Sequence, residues 1–192
     1  MKSSPFLVFL SLIAIGCSKS SAPSSSTDFT GVECGVERWN VKTLLDSDAS
    51  SISWTPVAST VAQQNGYTEV SVGENTPRLD FEKQVVSIQC TIMAYKKEGD
   101  SDIHLVLLDA QNDSMIGEIP SIYCSEVGAS PHASEFSAAS QWVSDNLGKP
   151  STSFKYSNAS VTITGVQFQD FEHEEVGHAK NYREIHPVLK IE

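Results

Sequence analysis

Residues 84–119, QVVSIQCTIMAYKKEGDSDIHLVLLDAQNDSMIGEI, decide the fold of this chain. The first part of the stretch, residues 84–96, is long, rich in β-branched side chains and partly alternating, and this pattern predicts a β-strand. Residues 97–102 are mostly charged and contain a glycine, which predicts a turn. Residues 103–109 and 114–119 predict two more strands, separated by a polar turn. The stretch as a whole therefore predicts a three-stranded meander.

The hydrophobic period then changes from that of strands to that of a helix. Ser134 is the expected N-cap, and apolar residues follow it at spacings of three and four. These apolar residues are Phe136, Ala139, Val143 and Leu147. A glycine and a proline come next and end the helix. The spacing thus predicts one amphipathic helix after the meander.

Two further strands complete the predicted fold, at residues 159–168 and 183–191. Three strands, a helix and two strands is the element order of the OB-fold, a partly open Greek-key barrel of five strands. We therefore expect a mainly β protein, with an OB-like five-stranded partly open barrel (β-β-β-α-β-β) over residues 81–192. Because periodicity gives the elements but not the closure of the sheet, an open α+β sheet is the alternative fold class.

Residues 31–80 are the least regular part of the chain. Residues 39–44 predict a strand or an extended piece, and residues 60–64 predict a helical turn. We expect this region to be an N-terminal extension that packs on the barrel.

The N-terminus has the pattern of a bacterial lipoprotein signal. Residues 6–16 form an apolar or small run that is too short to cross a bilayer, and Cys17 follows directly. A small residue before a cysteine at the end of such a run is the lipobox pattern. Residues 1–16 therefore predict a signal peptide, and Cys17 is the predicted lipidated N-terminus. Residues 17–30 are serine-rich and predict a flexible tether. An ordinary secretory signal cleaved nearby is the alternative.

This signal predicts a location in the bacterial cell envelope, outside the cytoplasm. Acyl chains on Cys17 would anchor the protein to a membrane. Because Ser18 rather than an aspartate follows Cys17, the outer membrane is favoured if the cell is Gram-negative.

The charge of the chain argues against nucleic acid as a partner. The sequence has 13 lysine and arginine residues against 24 aspartate and glutamate residues, a net charge of −11, and loss of Lys2 with the signal leaves −12. Such an acidic domain repels a phosphate backbone, and no basic cluster offsets the repulsion. A solvated acidic surface is the simplest explanation of the charge.

Three cysteines follow Cys17, and the exported compartment permits a disulfide. Cys34 and Cys124 both lie in irregular segments, so we expect them to pair. Cys90 lies in the middle of a predicted strand, where a lone cysteine is usually a small buried hydrophobe. The spacings do not resemble a zinc-binding set.

Histidines and carboxylates concentrate where an OB-fold binds ligands, which is the face of strands two and three and the loops that join strands one to two and four to five. Here those loops are residues 96–102 and 171–182. The histidines and glutamates at or beside these places are His104, Glu118, His173, His178, Glu184 and His186.

Such a cluster can bind a divalent metal or carry out acid–base catalysis, and it can equally hydrogen-bond the loops into place. The sequence contains no nucleophile elbow, phosphate-binding loop or dinucleotide fingerprint.

A separate basic pair lies before the meander, in the segment ERWNVKTLLD. Arg38 and Lys42 are four residues apart and could bind an anion. They could also pair with the many carboxylates of this chain, and we favour the pairing.

Several blocks of the sequence, taken in order, resemble a family of exported bacterial proteins of unassigned function. The blocks are ERWNVKT, EGDSDIHLVLLD, SMIGEIP followed by a cysteine, and HEEVGHAKNYREIHPVLKI. The resemblance covers the chain from Glu37 to the C-terminus. It implies that the blocks form one unit, and it implies no known activity.

The resemblance also narrows the candidate site residues. The family pattern is matched at His173, Gly177, Ala179, Asn181 and the EIHPV block of residues 184–188. The chain departs from the pattern at residue 178, where an apolar residue is common, and at residue 180, where proline is common. The first departure argues against a metal role for the histidine at 178. His173, Asn181, Glu184 and His186 are then the better candidates.

We expect a membrane-anchored, non-enzymatic binding or accessory module whose partner is a saccharide, a small polar ligand or an envelope protein. No cofactor is certain, and a divalent metal is possible. One alternative is a metal-dependent hydrolase, of phosphodiesterase or nuclease type, which would need at least three polar side chains at one point. The set considered for that role is His104, Glu118, His173, Glu184 and His186. A purely structural envelope protein is the other alternative.

Overall fold

The computed structural model describes Cys34 and residues 37–192. The predicted signal peptide, the lipidated Cys17 and the tether lie outside the described residues. The strands are β1 (Ser53–Ser59), β2 (Gln84–Lys97), β3 (Ile103–Leu108), β4 (Ser114–Ile119), β5 (Lys155–Gln169) and β6 (Arg183–Ile191). The α-helices are α1 (Trp39–Lys42), α2 (Val61–Asn65) and α3 (Ala133–Asn146), and short 3-10 helices cover Ser47–Ser51, Asp80–Lys83 and Val127–Ala129.

The six strands form one mixed sheet in the order β1-β2-β3-β4-β6-β5, and β2 also pairs with β5. The pairs β1–β2 and β4–β6 are parallel, and the other pairs are antiparallel. Strands β2 to β6 therefore each pair with two others of the same five, while β1 lies at an edge. The mainly β class predicted from the sequence is confirmed.

The long strand β2 organises the sheet because it pairs with three strands. Its apolar side chains alternate toward the interior, where Ile88 and Ile92 are fully buried. Phe136 and Val143 on the predicted face of α3 are buried as well, and this helix packs against β6 and β4. The apolar side chains that recur about every two residues in β2 and about every three to four residues in α3 are thus the ones that form the core.

The helix α3 begins two residues earlier than predicted. Its N-cap is His132 rather than Ser134, and the Ser134 hydroxyl donates to Glu135 Oε2 at 2.7 Å. Strand β5 starts at Lys155, four residues before the predicted strand, in a polar part of the chain whose side chains are mostly exposed. The residues at the starts of α3 and β5 are mostly polar, so no apolar periodicity marked either boundary in the sequence.

The predicted extended piece at 39–44 is wrong, because Trp39–Lys42 is a short helix. Arg38 adopts a left-handed backbone with φ 52°, which turns the chain just before the helix. The backbone N–H and the hydroxyl of Thr43 then both donate to the Trp39 carbonyl. The apolar spacing of this segment fits either structure, and the hydrogen bonds decide for the helix.

The predicted helical turn at 60–64 is confirmed as α2. The Thr60 hydroxyl accepts from the Gln63 backbone N–H at 3.0 Å, and the Gln63 side chain accepts from the Thr60 N–H at 3.0 Å. This reciprocal capping box stabilises a short helix. The preceding strand β1 was not predicted, because its exposed serine- and proline-containing sequence has no apolar alternation.

A buried arginine ties the N-terminal region to the sheet. The guanidinium of Arg38 donates to both carboxylate oxygens of Glu82, at 2.8 and 2.6 Å. Its remaining N–H groups donate to the backbone carbonyls of Thr76, Pro77 and Gln169. Every donor of Arg38 is therefore used inside the protein, and the residue pairs with a carboxylate rather than with an external anion.

Cys34 and Cys124 form a disulfide, which is the predicted pair. Cys90 is a free and buried cysteine on β2, as its position in a strand predicted. Within the part of the chain that the structure describes, no helix is long and apolar enough to cross a membrane.

Candidate functional site

Strand register brings two buried histidines to one buried glutamate. The β3–β4 register pairs His104 with Glu118, and the parallel β4–β6 pairing sets His186 beside them. Glu118 Oε1 lies 3.3 Å from His104 Nδ1, and Glu118 Oε2 lies 3.2 Å from His186 Nδ1. The Glu118 carboxylate therefore lies between the two imidazole rings.

The orientation of the His104 ring is fixed by a backbone carbonyl. His104 Nε2 donates to the Val176 carbonyl at 3.0 Å, since a carbonyl oxygen can only accept. The other nitrogen, Nδ1, then faces carboxylate oxygens of Glu98 at 3.1 Å, Glu118 at 3.3 Å and Glu175 at 3.2 Å. None of these three contacts has hydrogen-bond geometry, although the nitrogen is buried. The carboxylates surround the nitrogen without being aligned to accept from it.

The electrostatics of this cluster are those of a site that attracts cations. Burial lowers the pKa of His104, but the carboxylates of Glu118, Glu175 and Glu98 raise it to about 12. Burial raises the pKa of Glu118, while His104, His186 and Lys42 hold it well below its ordinary range. A single proton on His104 thus faces three carboxylates in a mostly buried place.

His186 has a second acidic neighbour on the other side of its ring. His186 Nε2 lies 3.6 Å from Asp102 Oδ2, and the other oxygen of Asp102 accepts the Ser121 N–H at 2.6 Å. Burial, followed by the charges of Asp100 and Glu118, raises the pKa of Asp102 well above its ordinary value. Because its two nitrogens face different carboxylates, His186 links Asp102 to Glu118.

A third group of ligand atoms lies at the end of β5. His173 Nε2 is 2.8 Å from Asp170 Oδ2 and 3.9 Å from Glu184 Oε1. The hydrogen bond that His173 donates to Asp170 raises the pKa of His173. Burial and the charges of Asp170 and Glu118 raise the pKa of Glu184 well above its ordinary value. This group is an imidazole–carboxylate pair with the buried carboxyl group of Glu184 beside it.

One cleft of about 460 Å³ connects the first and third groups, and carboxylates dominate its lining. Glu98, Glu118 and Glu175 line one part, and Asp170 and His173 line another. Lys42 also lines the cleft.

Lys42 is a buried cation in this acidic cleft. Burial lowers its pKa, but the charges of Asp170, Glu118 and Glu184 more than offset the burial and raise the pKa above its ordinary value. Its ammonium group lies 3.7 Å from Glu37 Oε2. Lys42 thus neutralises part of the acidic charge between the two groups and has no free face for an anion.

Asn181 serves the loop rather than the cleft. Its side-chain amide donates to the Gln64 and Tyr67 carbonyls at 2.8 and 2.9 Å, and its oxygen accepts the Arg183 N–H at 3.2 Å. His178 stacks on Tyr182, with ring centroids 5.3 Å apart.

The five residues considered for a hydrolase are divided among three groups. His104 and Glu118 share the first group, Glu118 and His186 share the second, and His173 and Glu184 share the third. No group among the described residues therefore contains three of the five.

Four carboxylates of these groups were not singled out from the sequence, namely Glu98, Asp102, Asp170 and Glu175. Three of the four lie inside the two loops that the sequence analysis identified, and Asp170 directly precedes the second loop. The residue spacing identified the loops, but it could not show which acidic side chains turn inward.

The first group has the donor set of a metal centre. Its four ligand atoms, from Glu98, His104, Glu118 and Glu175, lie within 4.8 Å of one another. An ion about 2.0–2.2 Å from each ligand needs ligand atoms at most about 4.4 Å apart, so a small contraction of the group would bring all four ligand atoms within reach of one ion.

A scan against protein-family models and searches of curated proteins and of solved structures found no match for this chain. The side-chain geometry itself therefore carries the functional conclusion.

Proposed function

We propose that this chain is an extracytoplasmic, lipid-anchored binding module that holds a divalent metal ion in the acidic cleft, at Glu98, His104, Glu118 and Glu175. The observation that carries the proposal is the unpartnered Nδ1 atom of His104. It is buried, it is fixed in direction by the Val176 carbonyl, and it faces three carboxylates. Metal-bound histidines are commonly oriented in this way by a hydrogen bond from the second ring nitrogen.

Charge supports a divalent ion over a proton. Three carboxylates around one imidazolium leave an excess of negative charge, and burial makes such an excess costly. Lys96 offsets part of it, because its ammonium group is 2.8 Å from Glu98 Oε1. A divalent ion bound to the neutral imidazole would supply the missing positive charge and would also bind all four ligand atoms.

The donor set favours a first-row transition metal. Carboxylate oxygens alone suit Mg²⁺ and Ca²⁺, whereas an added imidazole nitrogen suits Zn²⁺, Mn²⁺ or Fe²⁺. Glu175 is 40% exposed at its side chain and Glu98 is 19% exposed, so an ion can enter from the cleft. His104 closes the buried end of the set.

We also propose that the sheet is the OB-like barrel expected from the sequence. Its support is that strands β2, β3, β4, β5 and β6 pair in a ring, with α3 between β4 and β5 along the chain and with β4 parallel to β6.

The lipid anchor at Cys17 is part of the same proposal and is supported by the lipobox pattern.

A metal-dependent hydrolase is the alternative that the site favours less. It needs an open metal position with several of the predicted side chains around it, whereas those side chains are divided among three groups. The acidic lining of the cleft also repels phosphodiester substrates.

Isothermal titration calorimetry on the mature polypeptide with Cys17→Ser tests the metal proposal. We expect one equivalent of Zn²⁺ or Mn²⁺ to bind more tightly than Mg²⁺ or Ca²⁺. Glu175→Gln should weaken the binding by at least the roughly 10–100-fold that loss of an outer-shell partner causes. The substitution keeps the size of a half-exposed side chain, so folding should be retained.

Glu174→Gln is the matched control, because Glu174 is the exposed neighbour in the same loop and does not line the cleft. It should leave the affinity unchanged. If no metal binds, or if both variants weaken binding equally, the proposed site is wrong. The polar groups would then be structural or would bind one of the non-metal partners expected from the sequence.

A further inference from the structure

A second cavity, of about 390 Å³, lies on the other side of the turn formed by residues 98–102. Ile103, Pro120 and Pro150 supply part of its apolar lining, and serines of α3 supply part of its polar lining. Ser101 in this turn and Ser121 also line it, and the Ser121 backbone N–H donates to Asp102 at the end of the turn. This cavity is therefore a neighbour of the metal cleft with a different lining.

The charge of this cavity is opposite to that of the protein as a whole. Lys97 and Lys149 are its charged lining residues, in a chain of net charge −11. Neither ammonium group forms an ion pair with a carboxylate of the described residues. Ser121 is buried, and its hydroxyl oxygen lacks a hydrogen-bond partner in the described part of the chain. Two lysines and an unpartnered hydroxyl suit a phosphate group.

Large apolar side chains are exposed at the rim of the same cavity. Ile122 is 41% exposed and Tyr123 is 56% exposed, and both line it. Exposed aliphatic and aromatic side chains beside lysines are typical of surfaces that lie at the interface of a bilayer.

The disulfide sets where the predicted anchor reaches the domain. Cys124 directly follows Tyr123, and it is bonded to Cys34. Residues 18–33 separate Cys34 from Cys17, so the chain between them can span at most roughly 55 Å even when fully extended. A lipid on Cys17 would therefore limit how far the face that carries Ile122 and Tyr123 can lie from the membrane.

We infer that this cavity binds the phosphate of a membrane phospholipid through Lys97, Lys149 and Ser121, while Ile122 and Tyr123 enter the bilayer interface. The inference rests on the proposed lipid anchor and does not depend on the proposed metal site. The anchor supplies most of the affinity, and the cavity adds a weaker contact that orients the domain on the membrane.

Vesicle co-sedimentation of the mature polypeptide with Cys17→Ser tests this inference, because it measures the surface without the acyl chains. We expect partitioning onto vesicles of phosphatidylethanolamine and phosphatidylglycerol, weaker partitioning onto phosphatidylcholine, and loss at high salt. The double variant Lys97→Glu, Lys149→Glu should lower the partition coefficient about tenfold or more, since each lysine near an anionic surface contributes about a factor of five. Ile122→Ser should lower it as well.

Two control variants match these changes in charge and in polarity. Lys83→Glu with Lys190→Glu makes the same charge change outside the cavity, and Val57→Ser removes an exposed apolar side chain from β1. Both controls should partition like the parent chain, and circular dichroism should show that every variant melts like the parent. If a lysine variant does not fold, hydrogen exchange of the parent on vesicles replaces it, with protection expected at residues 121–123 and not at 53–59.

Several results would overturn the inference. The parent chain could fail to partition onto vesicles, or the control pair Lys83→Glu, Lys190→Glu could lose as much partitioning as the cavity pair. Hydrogen-exchange protection that is uniform along the chain would be the third such result. Binding of inorganic phosphate in the absence of vesicle binding would also overturn it, because the cavity would then be a site for a soluble anion. Metal binding is measured separately, so a failed metal site would leave these results unchanged.

Discussion

The proposed metal-binding role of His104 depends on the direction of its ring. The residue type and its place on β3 were predictable, but the hydrogen bond from Nε2 to the Val176 carbonyl joins residues 72 positions apart. That contact decides that Nδ1, rather than Nε2, faces the carboxylates of Glu98, Glu118 and Glu175. A long-range backbone contact of this kind has no signal in residue spacing, which is why the sequence identified the histidine as a candidate ligand and not which ring nitrogen would bind.

Replacing Arg38 by alanine should destabilise the protein strongly. The side chains of Arg38 and Glu82 are both fully buried, and removing one partner of such a pair leaves an unpaired buried charge that costs about 3–5 kcal/mol. Urea denaturation of Arg38→Ala measures the loss. The control is Lys83→Ala, which removes the exposed partner of Asp80 and should change the free energy of unfolding little. Equal effects would show that the Arg38 network is not a stabilising contact.

The Cys90 thiol should be unreactive in the folded protein. Burial raises its pKa to about 12, so almost no thiolate is present at neutral pH. In the mature polypeptide with Cys17→Ser, Cys90 is the free thiol that remains beside the Cys34–Cys124 pair. Labelling with a thiol-reactive dye should be slow in buffer and fast in guanidinium chloride. Rapid labelling of the folded chain would contradict the buried position.

At the scale of elements, the loop between β5 and β6 completes the metal group. It carries Glu175 and the Val176 carbonyl, and Gly177 follows them with a φ of 93°. A Cβ atom at Gly177 would lie 2.5 Å from Val106 Cγ1, so this glycine lets the loop approach β3 closely. The loop position therefore depends on a residue without a side chain.

Gly177→Ala should weaken metal binding by displacing this loop. The left-handed backbone alone costs an alanine about 1–2 kcal/mol, and the clash with Val106 adds to it. Calorimetry should show a lower metal affinity, while circular dichroism should show that the sheet is retained. Gly128→Ala is the control, because a Cβ there meets nothing within 4 Å. An unchanged affinity in Gly177→Ala would show that the loop does not hold a ligand.

The sequence predicted those elements whose apolar residues follow a clear period. Strands β2, β3, β4 and β6 and the buried face of α3 belong to this class. Strand β1 lacks such a period because it is exposed on both faces. The helix Trp39–Lys42 lacks one because it depends on a left-handed residue and local hydrogen bonds. The pairing of β2 with β5 joins distant residues, and no local pattern encodes it.

At the scale of the whole molecule, the disulfide joins the N-terminal region to the segment after β4 across 90 residues. A cross-link over a loop of this length restricts the unfolded chain strongly. The double variant Cys34→Ser, Cys124→Ser should lose about 2–5 kcal/mol of unfolding free energy in urea denaturation. A stability equal to that of the parent chain would show that the cross-link is not needed for the fold.

The charges of the molecule are arranged in two neighbouring places with opposite chemistry. The acidic cleft gathers carboxylates around His104 and Lys42, and the cavity beside it carries Lys97 and Lys149. The composition gave the net charge of the chain but not the place of any charged side chain. In the folded chain, the turn of residues 98–102 lies between the acidic cleft and the cavity with the two lysines. This turn supplies lining residues to both.

Diffraction at the absorption edge of the metal tests the central claim most directly. Crystals of the mature polypeptide grown with Zn²⁺ or Mn²⁺ should give one anomalous-difference peak among the Nδ1 atom of His104 and the carboxylate oxygens of Glu98, Glu118 and Glu175. A peak at that position, bonded to the imidazole nitrogen, is the predicted result. An anomalous map with no peak there, or with peaks only at surface carboxylates, would contradict the account.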